Sequence, residues 1–207
     1  MKDRDLSHPA HSTVEPRPRV EGDRELEILR ATVDVLGDVG YDRLTMDAVA
    51  TRAKASKATL YRRWNTKTAL VIDALVSQKN PAVTPDTGSF RQDLIDSSCG
   101  SGGFTDPKPV SVLGSIMTAI NRDADFAEAW RRDFIGPKIA ATRTIYERAK
   151  ARGEIRDDLD IDLVASALAG IILHRIFILG EQPSLDTITE VIDQIILPAC
   201  RPAPKAR

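Results

Sequence analysis

Three observations predict an all-α fold for this 207-residue chain. Apolar residues recur at three-and-four spacing through most of it, no strand series with period-two alternation stands out, and Gly, Pro and capping residues divide the periodic stretches into about nine helices. Apolar residues make up 42% of the chain and aromatic ones 5%, enough for one or two domains with a sizeable helical core.

The first 22 residues lack periodicity and hold Pro9, Pro16 and Pro18, so they read as a flexible arm. Asp3, Asp5, Glu15 and Glu21 dilute the charge of its Arg17-Pro18-Arg19 run. Folding is expected from Asp23. Leu26, Leu29, Val33 and Leu36 mark a helix of about four turns, and Gly37 and Gly40 loosen its end. Thr45 suits an N-cap, and Met46, Val49, Ala50 and Ala53 then line the buried face of a second helix. Lys54-Ala55-Ser56 interrupts the pattern, with Ser56 placed to cap a third helix through Trp64. On that helix Leu60 and Trp64 form an apolar back, while Lys57, Ala58, Thr59, Tyr61 and Arg62 lie outside it. A short helix with an apolar back and a polar front is what a DNA major groove accepts.

Charge agrees locally rather than globally. The whole chain balances 29 Lys and Arg against 30 Asp and Glu, but Arg43 to Lys67 carries seven basic residues against Asp47 alone. Such a patch meets phosphates and makes binding steeply salt dependent.

The order Gly40-Tyr41, Leu44-Thr45-Met46-Asp47-Ala48-Val49-Ala50, Ser56-Lys57-Ala58-Thr59-Leu60-Tyr61, then Trp64 and Lys67, resembles the DNA-binding domain of the TetR family of transcriptional regulators over about residues 24 to 77. The resemblance implies a phosphate contact from Thr45, groove entry by Lys57, Ala58, Thr59 and Tyr61, with Tyr61 on a phosphate, a basic edge from Arg62 and Arg63, and a phosphate site at Lys67. One departure is the turn, where many members have Gly and this chain has Lys54. Positive φ at a lysine costs about 1 kcal/mol relative to Gly.

A helix with Leu70, Val71, Ala74 and Leu75 on its apolar face connects this 23–80 unit to a body over 81–200, with 201–207 as a tail. In the body, Phe90, Leu94 and Ile95 mark a short helix broken by Gly100, Gly102 and Gly103, and Val112 to Ile120 mark the next. Asp123 or Asp125 caps a long helix through Ala149, expected to kink at Gly136-Pro137 and to stop at Gly153. From Asp160 to Gly180 apolar residues cover nearly the whole circumference, so one buried face cannot account for them, while Asp162, Ser166, His174 and Arg175 interrupt the run too often for a membrane span. The final helix carries Leu185, Ile188, Val191, Ile192, Ile195 and Ile196 and is expected to end before Pro198. Pairing of these last two helices with their copies in a homodimer accounts for both stripes, and the family resemblance implies the same four-helix arrangement.

The expected fold is therefore a three-helix helix-turn-helix DNA-binding domain followed by a helical ligand-binding and dimerisation domain. The resemblance further implies a repressor of a palindromic DNA operator, released by a small-molecule effector, which the residues below favour as apolar or aromatic; an activator with the same heads or a ligand-sequestering protein are the competing readings. Bulky or polar residues on apolar helices make Met117, Trp130, Phe134, His174 and Phe177 the pocket candidates. No cofactor or metal is expected, since two of three histidines lie in the arm. Enzyme motifs are absent: Gly100-Ser101-Gly102-Gly103 lacks the lysine of a phosphate loop, and no serine elbow precedes a helix. Cys99 and Cys200 form no disulfide framework, and the Met-Lys-Asp start shows no signal peptide, so a cytoplasmic location is expected.

Overall fold

The computed structural model describes residues 21–78, 84–99 and 110–202. Nine helices run through them: α1 (Glu21–Arg43), α2 (Met46–Arg52), α3 (Lys57–Arg63), α4 (Lys67–Ser77), α5 (Phe90–Ser98), α6 (Val110–Arg122), α7 (124–151), α8 (Ile161–Leu179) and α9 (185–200). The described residues contain no strand. The arm, the Gly100–Gly103 break and Pro81 lie outside them, except that Glu21 and Gly22, read as arm, already belong to α1.

The buried stripe of α1 is Ile28, Leu29, Ala31, Thr32, Val35 and Leu36, rotated from the predicted one so that Leu26 is 42% exposed. Gly40 adopts φ 77°, ψ 165° and breaks the helix, which lets Tyr41 turn inward beneath α4. Ser89, Asp123, Asp160 and Ser184 cap α5, α7, α8 and α9 by accepting from backbone N–H groups of the first turn. Gly153 (φ 74°) closes α7, with the N–H of Glu154 reaching back to the Ala149 carbonyl.

Both helix-interior prolines follow a π turn. In α7 the residues Trp130–Ile135 are π-helical, and the Gly136 N–H reaches Arg131 O. A Cβ at Gly136 would stand 2.9 Å from that same carbonyl, so the close approach requires glycine. The predicted kink at Gly136-Pro137 is thus a widened turn that gives the ring room. In α9 the π turn Ile192–Ile196 does the same for Pro198, so the helix runs on through Leu197–Cys200 instead of ending before the proline as expected from sequence.

Two hydrophobic cores result, and the first includes residues on both sides of position 80. The first joins α1–α4 to Val112, Ile116 and Ala119 of α6 and to Phe126, Trp130 and Phe134 of α7. The second joins α5, the later part of α7, α8 and α9 around Tyr146, Ile172, Ile188 and Ile192. Leu113, on the other side of α6, packs against this second core, so α6 lies between the two. In α8, Ile161, Leu168, Ile172 and Ile176 face that core, whereas Leu163 (69% exposed), Ile178 (71%) and Leu179 do not. Contrary to the expectation that polar residues interrupt this run too often for a membrane span, by length and composition alone α8 could cross a bilayer, and only 17% of its most apolar stretch is buried within the chain. A large apolar face is left uncovered within the single chain.

Candidate nucleic-acid interface

The helix-turn-helix forms as its caps dictate. Thr45 Oγ1 accepts from Ala48 N (3.1 Å) at the start of α2, and Ser56 Oγ accepts from Thr59 N (3.1 Å) at the start of α3. Val49, Ala50, Leu60 and Trp64 are buried, and Trp64 Nε1 donates to Asp73 of α4 at 2.8 Å. Lys54 sits between them at φ 51°, in the left-handed region favoured by glycine. No other non-glycine residue among those described has a positive φ.

Lys57, Ala58, Tyr61 and Arg62 are exposed on one side of α3, and Thr59 is half-buried beside them. Thr45 is exposed at the neighbouring N-terminus of α2. Lys57 Nζ pairs with Asp47 at 2.5 Å, and the Thr59 hydroxyl shares a hydrogen bond with Ser56 at 2.8 Å. Both contacts are solvent-exposed and weak enough for a base or phosphate to displace. Arg63, read from sequence as part of the basic edge, instead turns back to α1 and pairs with Glu25 at 3.1 Å. Lys67 is half-buried: its ammonium donates to the Tyr41 carbonyl at 3.0 Å and lies 4.1 Å from the centre of the Tyr41 ring.

Tyr41 is the joint between this unit and the body. Its ring is 3% exposed and stands 4.5 Å from that of Phe126, and its hydroxyl donates to Asp123 Oδ2 at 2.8 Å while sharing a hydrogen bond with Thr68 of α4 at 2.9 Å. Asp123 meanwhile accepts from the Phe126 N–H, which with the Tyr41 hydroxyl and the Lys67 charge holds its carboxyl below the usual carboxylate range against the opposing effect of burial. Burial pushes the Tyr41 phenol above its ordinary value. From Phe126 the aromatic contacts continue to Trp130 and Phe134, the last two stacked at 3.9 Å. Sequence marked Asp123 as a cap but gave no sign of its Tyr41 partner, 82 residues away.

The five pocket candidates do not converge. Trp130 and Phe134 are buried in the first core and Met117 packs against it, whereas His174 and Phe177 are exposed on α8. Two open clefts of about 420 and 560 Å³ flank the joint, one along Asp42, Lys67, Arg122 and Asp125 and the other along Val39, Gly114 and Thr118; none of the five lines either. The described residues hold no cluster of His, Cys, Asp and Glu fit for a metal.

Two family models match the chain: bacterial regulatory proteins of the tetR family over residues 28–74, and the tetracyclin repressor-like C-terminal domain over residues 84–195. An HTH-type transcriptional regulator of Mycobacterium tuberculosis is 34% identical over 180 residues, covering 85% of this chain and 87% of its own. The DNA-binding transcriptional repressor TetR of Mycobacteroides abscessus is 32% identical over 183 residues, with 86% and 95% covered. The crystal structure of the TetR family transcription regulator SCO0332 has a TM-score of 0.65 at 28% identity, covering 88% of this chain and all of that one.

Proposed function

The chain belongs to the TetR family of DNA-binding transcriptional regulators and is not an enzyme, and on that premise we propose that it is a cytoplasmic homodimeric repressor that holds a palindromic operator and is released from it by a small apolar or aromatic effector. The observation that carries the DNA half is the exposed row Lys57, Ala58, Tyr61 and Arg62 on a helix whose back, Leu60 and Trp64, is buried. Lys57 and Thr59 read base edges, Ala58 permits close approach, and Thr45, Tyr61 and Arg62 meet phosphates. Lys67, at the N-terminus of α4, donates to the Tyr41 carbonyl and also meets a phosphate with its charge.

The dimer reading rests on the uncovered apolar face of Leu163, Phe177, Ile178 and Leu179 on α8 with Leu185 and Ile195 on α9. Paired with its copy, that face becomes the centre of a four-helix bundle and sets two reading heads about 34 to 36 Å apart. The effector reading rests on α6, which touches both cores: a ligand that moves α6 moves the joint at Tyr41. Such a ligand must bind the released arrangement more tightly than the DNA-bound one.

Binding to the DNA beside the gene, followed by fluorescence anisotropy at several salt concentrations, tests the proposal. Tyr61→Ala weakens binding to all duplexes, whereas Lys57→Ala or Thr59→Ala changes which duplex is preferred. Unaltered binding and preference in all three variants would refute the assignment.

A further inference from the structure

The strained turn is braced from α1. Lys54 is the residue with left-handed backbone, and its carbonyl accepts from the Arg24 guanidinium at 2.5 Å. Arg24 is itself held by Glu27 at 2.5 Å, one turn along α1, and its side chain is only 25% exposed. The next residue, Glu25, grips the other end of the recognition helix, where Arg63 approaches both carboxylate oxygens at 3.1 and 3.4 Å. Two adjacent side chains of α1 therefore hold the turn that precedes α3 and the last residue of α3, across 30 and 38 positions of sequence.

We propose that Arg24 and Glu25 are positioning residues for DNA reading: Arg24 stabilises the left-handed turn that a lysine would otherwise disfavour, and Glu25 draws the Arg63 side chain toward α1 and competes with the phosphates for it. This rests on the reading of α2, the turn and α3 as the DNA-reading unit. A charge-assisted hydrogen bond to a carbonyl is comparable in strength to the strain of a non-glycine residue at positive φ, so the brace and the strain nearly offset. Replacing Lys54 by glycine removes the strain, while the carbonyl that accepts from Arg24 stays in place.

The test uses the full-length protein and the duplex it recovers from a random library, against a scrambled duplex of the same composition. In the free protein, Arg24→Ala speeds amide hydrogen exchange over residues 51–60 about fivefold, and adding Lys54→Gly, which removes the strain, brings it back toward the wild-type rate. Discrimination between the duplexes falls about fivefold in Arg24→Ala, through loss on the selected duplex. Glu25→Gln frees Arg63, so affinity rises on both duplexes and the salt dependence steepens by about one phosphate contact. Unchanged exchange in Arg24→Ala, or an Arg24→Ala, Lys54→Gly chain that exchanges as fast as Arg24→Ala alone, overturns the brace. Faster exchange with unchanged discrimination overturns its role in reading, and an unchanged salt slope in Glu25→Gln overturns the part given to Glu25. A wild type that recovers no duplex overturns the DNA reading itself, while the exchange measurement still decides the brace.

Discussion

Replacing Tyr41 by Phe removes one oxygen from the joint and leaves the rest in place. The ring keeps its contacts with Phe126 and with the Lys67 ammonium, so the change isolates the hydroxyl that links Asp123 of the body to Thr68 of α4. A hydrogen bond to a carboxylate contributes about 1.5–3 kcal/mol and one to a hydroxyl about 0.5–1.5 kcal/mol. Asp123 keeps the Phe126 N–H and lines an open cleft where water can replace the phenol, which places the loss near the lower end, about 2 kcal/mol. For a protein of this length that lowers the melting temperature by about 4–8 °C. Because burial raises the phenol above its ordinary value, the hydroxyl's contribution is fully present below about pH 10 and fades as pH rises through the folded-state value. Thermal unfolding of wild type, Tyr41→Phe, Asp123→Asn and the double variant is the assay. The two substitutions should be non-additive by about 1 kcal/mol or more. Additive losses, or a Tyr41→Phe gap that stays constant above pH 10, would sink the account of Tyr41 as the joint.

Two further predictions concern the body. The Leu163→Glu, Ile178→Glu double variant folds, since both positions are solvent-exposed in the single chain, but sediments as a monomer at micromolar concentration where the wild type is a dimer; a monomeric wild type would refute the interface. Asp93 is fully buried, and although burial alone raises its pKa, hydrogen bonds from the Thr87 N–H and hydroxyl (2.7 Å each) and the Arg152 guanidinium outweigh that and leave it below the usual carboxylate range. Its contribution is therefore present above about pH 4 and lost as pH falls through the folded-state value. Asp93→Asn should cost about 2 kcal/mol at pH 7, less than a fully buried pair because Arg152 keeps Asp86 and Glu154. Melting curves between pH 7 and 3 should show that gap narrowing below pH 4, and a constant gap would contradict the assignment.

What could be read from the sequence is what short-range chemistry decides. Thr45 and Ser56 announce α2 and α3 because an N-cap acts within three residues, and Leu60 and Trp64 announce the buried back because one helical turn brings them together. The all-round apolar stretch of α8 was legible for the same reason, and its two faces do differ, Ile172 fully buried and Ile178 71% exposed. Contacts between distant helices leave no such trace: nothing near Arg24 points to the Lys54 carbonyl, nothing near Arg63 to Glu25. Sequence could not say whether Trp130 and Phe134 pack or line a pocket, because a bulky apolar side chain has the same periodicity whether it fills a core or lines a cavity; in the structure both are buried in the first core. Pro198 misled because a π turn, invisible in the pattern, relieves the clash that would otherwise stop a helix.

Under the proposed mechanism the strength of the joint limits what an effector can achieve. Allosteric coupling between two sites is typically about 1–3 kcal/mol, and a ligand shifts an equilibrium only by its difference in affinity for the two states. The Tyr41 hydroxyl, at about 2 kcal/mol, lies inside that range. The rest of the contact between head and body is less easily traded: Phe126, Trp130 and Phe134 are buried in the same core as α1 and α4, so pulling the units apart would expose aromatic surface at a far greater cost. A released state within reach of a small ligand must therefore keep the aromatic packing and change the polar contacts around it. The polar contacts available for such a change are those among Tyr41, Thr68, Lys67 and Asp123, since α4 itself is buried in the same core as the rings. Since Lys67 opens α4 and also touches the Tyr41 carbonyl and ring, a rearrangement there would, under the proposed mechanism, move the proposed phosphate contact as well.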